Sequence, residues 1–357
     1  YHCVFRKDRI MKVCHVNLSR HFSGSERQTL QLIKRQLREA YKITVVARHS
    51  SPFAQEVAKL PCRLIITRSS LTKQSAKLNT YCSLIQAHED QGAQWAYMQH
   101  KRYDTPYIIT RRIDKHVPNK YLLLKTYRKA KALVGVSSQV VKNLHTQFID
   151  KLCIKIPSSP VSYPVNQNKV DQIWSAHAHK TLVLQASYLG PQKGFDTSNE
   201  AAKLLEKNNT PVHFLFLGSG PEEENLQKQA AKLSNVFFMG KQDDIGTWFA
   251  SANMLIHPSR SEGLGSVLLE AMVAGLPTIA SNTGGIPDII EHEQTGLLIE
   301  TGNAQELASA IKRLIDDQAL RKQLQTGAKE KLGEFDINHT TSLYDKLYKQ
   351  VLSPQQE

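Results

Sequence analysis

Short apolar runs alternate along the chain with stretches whose apolar positions recur every three or four residues. Residues 13–18 read as a buried strand and 20–25 as a turn; the following segment reads as a helix with Leu30, Ile33 and Leu37 on one face. Further strand-length runs fall at 43–47, 64–67 and 107–110. The run at 133–137 reads as the last strand of this half, with a helix starting at Ser138. Strands alternating with helices predict a parallel, doubly wound sheet. Pro157, Pro160 and Pro164 then sit among serines in 156–164, a segment with neither period, which marks a connector.

Beyond the connector the rhythm restarts. Residues 181–186 form a strand, 187–194 a loop and 196–205 a helix. The strand at 213–217 ends in Gly218-Ser219-Gly220-Pro221, with a helix from Glu222, and further strands are expected at 236–239, 254–256 and 278–280. The fold class is therefore α/β, with domains at 11–160 and 165–335. Strands that end in glycine or small polar residues build a polar rim at their carboxyl ends, where open sheets bind ligands.

The 357 residues suffice for two cores, and 41% hydrophobic with 22% charged residues is ordinary for a globular chain. No apolar run approaches the roughly 18 residues needed to span a bilayer, and the basic segment 1–12 lacks the apolar centre of a signal peptide, so a cytoplasmic protein is expected. Met11 resembles a natural start, leaving 1–10 as an extension without assigned function. The five cysteines, Cys3, Cys14, Cys62, Cys82 and Cys153, include no C-x-x-C pair and support neither a disulfide framework nor a zinc knuckle.

Charge changes this picture. Residues 1–165 carry +20 and the remainder −6. Such a field favours an anionic partner, namely nucleic acid, a phosphorylated glycan or an acidic membrane surface, and a basic surface serving only solubility is the alternative.

The strongest chemical signal follows the strand at 254–256. His257-Pro258-Ser259-Arg260-Ser261-Glu262-Gly263-Leu264-Gly265-Ser266 is a glycine-bearing turn that opens into a helix through Val267, Leu268, Ala271 and Met272. Small residues at Gly263, Gly265 and Ser266 permit close approach of an anion to the unpaired first amides of the helix. Glu262 and Glu270, with seven residues between them, are placed to accept hydroxyl hydrogen bonds, one from a sugar and one from a ribose. Each alone also fits a plainer role, a solvated loop charge for Glu262 and a helix-dipole partner for Glu270. Lys193 offers the rim a mobile cation, and a solvated lysine is the plainer reading. In the first half, His88, Arg111, Arg112 and Asp114 lie just beyond strand ends, with a surface ion pair between Asp114 and a neighbouring arginine as the competing reading. His88 and His100 have no spacing that suggests a shared metal.

Taken together, the motifs from 181 to 300 resemble the retaining glycosyltransferases of family 4, also called group 1. They are Lys193-Gly194-Phe195-Asp196, Phe216-Leu217-Gly218-Ser219-Gly220-Pro221, Phe238-Met239-Gly240, Ser261-Glu262-Gly263-Leu264-Gly265, Glu270-Ala271-Met272-Val273-Ala274-Gly275 and Gly284-Gly285-Ile286-Pro287. The resemblance implies the GT-B fold: two Rossmann-like, doubly wound domains facing a central cleft, with the last helix, 338–351, returning to the first domain. It also implies that Glu262 and Lys193 act on the donor sugar and diphosphate, that Glu270 holds the ribose, and that Gly263, Leu264, Gly265, Ser266 and Gly218 line the phosphates. Lys241, within 240–245, would lie by the base. Gly24, in Ser23-Gly24-Ser25-Glu26, matches more loosely a glycine loop of the family. His88, Arg111, Arg112 and Asp114 would face the acceptor.

One departure stands out. Ser187 and Tyr188 occupy the place of the family's Gly-Arg, so the second diphosphate cation is either missing or supplied from elsewhere, by Arg260 or by an arginine of the first domain. The implied reaction moves a sugar from a nucleotide-diphosphate donor, UDP-sugar favoured, to an anionic glycan or lipid-linked acceptor, as in lipopolysaccharide core or other envelope polysaccharide synthesis. No cofactor and no metal are expected, since no D-x-D motif is present. Peripheral contact with an anionic membrane is expected, and a nucleic-acid partner is not. The alternatives are a nucleotide-sugar epimerase on the same fold, or a non-catalytic protein that binds a sugar nucleotide or a polyanion.

Overall fold

The computed structural model describes residues 10–39, 41–178 and 180–353. The extension at 1–9, with Cys3, lies outside them. Two compact units emerge: residues 1–158 with 337–357, and residues 159–336.

The N-terminal unit contains β1 (Met11–Asn17), α1 (Gly24–Leu37), β2 (Tyr41–Arg48), α2 (Pro52–Val57), β3 (Arg63–Thr67), β4 (Leu84–Ala87) and α3 (Asp90–Tyr103). It continues with β5 (Tyr107–Arg111), α4 (Tyr121–Lys129), β6 (Ala132–Gly135), α5 (Ser138–Gln147) and β7 (Cys153–Lys155). Its sheet runs β3-β2-β1-β4-β5-β6-β7, with every pairing parallel. Sequence order reverses on either side of β1, the arrangement of a doubly wound sheet. Buried on both faces, the inner strands carry near-continuous apolar runs such as Ile43, Val45, Val46 and Ala47.

The run at 133–137 is not the last strand of this unit. β7 follows it on the edge beyond β6, and its three residues, Cys-Ile-Lys, are too few to show a period.

The C-terminal unit contains α6 (Gln167–Ala176), β8 (Thr181–Ala186), α7 (Phe195–Lys207), β9 (Val212–Leu217), α8 (Glu223–Ala230), β10 (Val236–Gly240) and α9 (Ile245–Ser251). Then come β11 (Met254–His257), α10 (Ser266–Val273), β12 (Thr278–Ser281), β13 (Leu297–Ile299), α11 (Ala304–Asp316) and α12 (Gln318–Lys331). The sheet order is β10-β9-β8-β11-β12-β13, again parallel. Order reverses between β8 and β11, so the loops after these two strands lie at the switch point where such sheets bind ligands. Its core joins Phe195, Phe214 and Phe216 to Ile279, Leu307 and Ile311.

α13 (Ile337–Leu352) rejoins the N-terminal unit. Tyr344, Leu347 and Tyr348 on its inner face pack with Ile33, Val45 and Leu84. Among the described residues no helix is long and apolar enough to cross a membrane.

Candidate active site

Three glycines hold the switch-point loops against each other. Gly194, at φ +68°, leads into α7, and a Cβ there would stand 1.9 Å from the Pro258 carbonyl oxygen. Gly218, at φ +138°, follows β9, and its Cβ would meet the Ser187 carbonyl oxygen at 1.8 Å. Gly265, at φ +90°, is the N-cap of α10 and has no side chain with which to occupy the first amides. Backbone bonds complete the rim. Arg260 N donates to Gln192 O at 2.8 Å, and Gly285 N donates to Glu262 O at 2.9 Å.

Inside this rim, Glu262 is neither solvated nor free. Lys193 Nζ donates to Glu262 Oε2 at 2.6 Å, and His257 Nε2 lies 2.8 Å from the same oxygen. A carboxylate only accepts, so the His257 proton toward it sits on Nε2, where Ser259 Oγ also approaches at 3.1 Å. Burial alone would raise the pKa of Glu262. The hydrogen bond from His257 and the charge of Lys193 outweigh it and bring the pKa down to about 2. Glu262 thus stays ionised at every physiological pH. His257 Nδ1 is buried without a partner. Gln185 fixes the lysine turn, donating from Nε2 to Lys193 O at 2.9 Å while accepting from Ser198 Oγ at 2.6 Å.

Glu270 lies on α10 and is buried, with Tyr163 Oη donating to its Oε1 at 3.2 Å. The solvated-charge reading of Glu262 is therefore set aside. Gly263, Leu264 and Gly265 are buried in the loop, and Ser266 opens α10 half-buried. Gly218 N donates to Gly240 O at 2.9 Å, which brings the two loops side by side, while Lys241 is exposed next to Gly240. Tyr188 is exposed. Arg260, the expected replacement for a second cation, forms a two-point pair with Asp196 at 2.8 and 2.6 Å instead. Its fork is already filled.

In the N-terminal unit, Gly24 opens α1 beneath Glu26, which accepts from Ser23 N at 2.9 Å and Ser23 Oγ at 2.7 Å. His88 follows β4, and Arg112 Nη1 donates to its Nδ1 at 3.3 Å. Arginine only donates, so His88 carries its proton on Nε2 and passes a hydrogen bond to His15 Nδ1 at 2.9 Å. The direction then propagates. His15 Nε2 donates to Gln36 Oε1 at 2.7 Å, Gln36 Nε2 to Tyr348 Oη at 3.2 Å, Tyr348 Oη to Gln86 Oε1, and Gln86 Nε2 to Thr110 Oγ1 at 2.8 Å. Burial lowers the His15 pKa to about 4 and, with the Arg112 charge, holds His88 well below its ordinary value, so both rings are neutral at pH 7. Arg112 Nε is buried without a partner.

Arg111 serves a different purpose. It donates to the carbonyls of Lys115 and His116 at 2.8 and 3.3 Å, to Asp90 at 3.3 Å and to Tyr127 Oη at 3.1 Å. Asp90 is a carboxylate partner of Arg111, and Asp114 accepts from Asn143 Nδ2 at 2.9 Å.

The sequence missed His257, His15, Tyr163, Tyr344 and Tyr348 as members of these clusters. Only His257 carried a signal, its place at the carboxyl end of a strand five residues before Glu262.

Loops of this kind at a sheet switch point lie where open α/β sheets bind ligands. Residues 166–331 match the family model of the glycosyl transferases group 1. Curated relatives include the sulfoquinovosyl transferase of Arabidopsis thaliana, 33% identical over 46% of this chain and 32% of that protein. The lipopolysaccharide core biosynthesis glycosyltransferase LpsE of Rhizobium meliloti is 30% identical over 48% and 50% of the two chains. The chain thus spans half the length, or less, of these two relatives.

Similarity of fold extends further. Anabaena HepE, solved with UDP and glucose, superposes with TM-score 0.82 at 18% identity, over 95% of this chain and 100% of that one. The sucrose-phosphate synthase of Thermosynechococcus elongatus gives 0.78 at 19%, over 96% and 99%. The fold is α/β with two Rossmann-like units, the fold of the GT-B glycosyltransferases.

Proposed function

We propose that this protein is a retaining glycosyltransferase that moves a sugar from a nucleoside diphosphate, UDP-sugar favoured, to an anionic glycan or lipid-linked acceptor. The observation that carries the reading is the buried Glu262 carboxylate, kept ionised by Lys193 and His257 at the mouth of an uncapped glycine turn. A cation, free helix amides and a sugar-facing carboxylate are what a nucleotide-sugar donor requires. Glu270, on the same helix, takes the ribose diol.

Charge on the diphosphate grows as the anomeric bond breaks, and Lys193 with the amides of 265–267 stabilises it. Lys193 therefore turns from Glu262 toward phosphate when donor binds, which frees Glu262 to accept from sugar hydroxyls. The departing phosphate takes the acceptor proton, so no protein base and no metal are needed. On the acceptor side we place His88 and Arg112, with Arg111 and Asp114 shaping the loop that presents them. His88, with its two ring nitrogens taken by Arg112 and His15, positions the Arg112 guanidinium, which supplies a donor for an anionic acceptor.

Two relatives named for lipopolysaccharide core biosynthesis support an envelope glycan as product; we place the protein itself in the cytoplasm at the membrane face. The test is mass spectrometry, with NMR to read anomeric and epimeric configuration, of reactions with a panel of nucleotide sugars and phosphorylated core oligosaccharides. A product heavier by one hexosyl unit, with its α or β configuration matching the donor, supports the reading. Nucleotide-sugar isomerisation without transfer would replace it by the epimerase.

A further inference from the structure

The surface at 113–125 of the N-terminal unit does two opposed things at once. Ile113, Tyr121 and Leu122 are 54%, 79% and 41% exposed, although large apolar side chains are normally covered. Around them stand Lys115, Lys120 and Lys125, and between 111 and 131 the sequence holds a single acid, Asp114. Lys125 Nζ sits 5.7 Å above the Tyr121 ring, so aromatic and cation form one patch. The opposite face of α4 is spent on the core through Leu123, Thr126 and Tyr127.

This segment is also fastened. Arg111 holds the carbonyls of Lys115 and His116, Gln147 brackets Val117 with bonds of 2.6 and 3.0 Å, and Asn143 holds Asp114. Its apolar tips are thus presented on anchored backbone, and docking them orders little additional chain. Arg128 and Lys129 have an ordinary explanation, the attraction of cations to a helix C-terminus. The lysines of the tip do not.

We propose that residues 113–125 are a membrane wedge. Ile113, Tyr121 and Leu122 enter the boundary between headgroups and acyl chains, and Lys115, Lys120 and Lys125 engage anionic headgroups. An aromatic residue beside lysines suits that boundary, where one end of the ring is apolar and the other wet. The wedge deepens the reading of a membrane-facing acceptor unit, on which it rests. Each lysine near an anionic surface contributes roughly five-fold to partitioning.

The experiment is co-sedimentation of the full chain with vesicles of phosphatidylcholine alone, or with one-third phosphatidylglycerol, no glycolipid being present. Wild type should bind the anionic vesicles and release them in high salt. Replacing Lys115, Lys120 and Lys125 by glutamate should weaken binding roughly a hundred-fold. Ile113→Ser, Tyr121→Ser and Leu122→Ser together should weaken it at least ten-fold, with the melting temperature unchanged because all three side chains are exposed. Equal binding by wild type and the serine variant, or no binding by wild type, would overturn the wedge. Nucleoside diphosphate release, measured on the same preparations without vesicles, reports on the transferase reading separately.

Discussion

Lys193 Nζ and Glu262 Oε2 lie 2.6 Å apart, both side chains largely shielded from water. A pair of this kind is costly to break from one side, because the survivor is left buried and charged. Lys193→Ala should therefore lower both stability and turnover, whereas the double variant with Glu262→Gln should recover stability without recovering turnover. Urea unfolding and donor-saturated turnover measure the two. A Lys193→Ala variant with wild-type turnover would remove the lysine from the reaction.

The same pair sets an acid limb. Glu262 titrates near 4.3 unfolded and about 2 folded, so it contributes about 3 kcal/mol at neutral pH. That contribution is complete above the unfolded value and is lost as pH falls from about 4.3 to about 2. The stability difference between wild type and Glu262→Gln should shrink across this window. A difference that stays constant down to pH 2.5 would show that the carboxylate is not held down by its partners.

Glycines separate strain from contact. Gly194 and Gly275 both have positive φ, but a Cβ at Gly194 would clash with the Pro258 carbonyl, while at Gly275 nothing lies within 4 Å. Gly275→Ala should cost about 1 kcal/mol, the conformational term alone, and Gly194→Ala clearly more. Equal costs by thermal unfolding would mean that the lysine turn does not pack on the 258–265 loop.

Tyr348 links α13 to the histidine pair. Tyr348→Phe leaves Gln36 Nε2 and Gln86 Oε1 without this partner, at a cost of about 1 to 3 kcal/mol. Tyr41→Phe, which loses a half-buried bond to Asp345, should cost less. The reverse order in urea unfolding would break the chain of hydrogen bonds traced from Arg112.

Much of this was legible locally. Glycine turns after apolar runs announced the rim, because positive φ and close approach to the backbone leave glycine in the sequence at Gly194, Gly218 and Gly265. What stayed hidden was non-local. His15 and His88 meet because β1 and β4 are neighbours 73 residues apart, and no period in either strand records that pairing. Arg260 reads as a spare cation until α7 brings Asp196 to it. Tyr121 and Leu122 read as ordinary helix residues, since only the packed face of α4 shows that they point outward. β7 was lost for a simpler reason, being too short to show alternation.

Whether catalysis needs a divalent ion is open to direct trial. Transfer should persist in EDTA, because Lys193 and the α10 amides take the diphosphate charge. Loss of activity restored by magnesium or manganese would contradict this.

The central claim is that the rim between β8 and β11 binds a nucleoside diphosphate, with Glu270 on the ribose. Calorimetric titration of UDP, GDP and ADP into wild type and Glu270→Ala tests it most directly. At least one nucleotide should bind wild type, and Glu270→Ala should lose about 1.5 to 3 kcal/mol of that affinity while unfolding as wild type does. Equal affinity in both proteins, or no binding of any of the three, would contradict it.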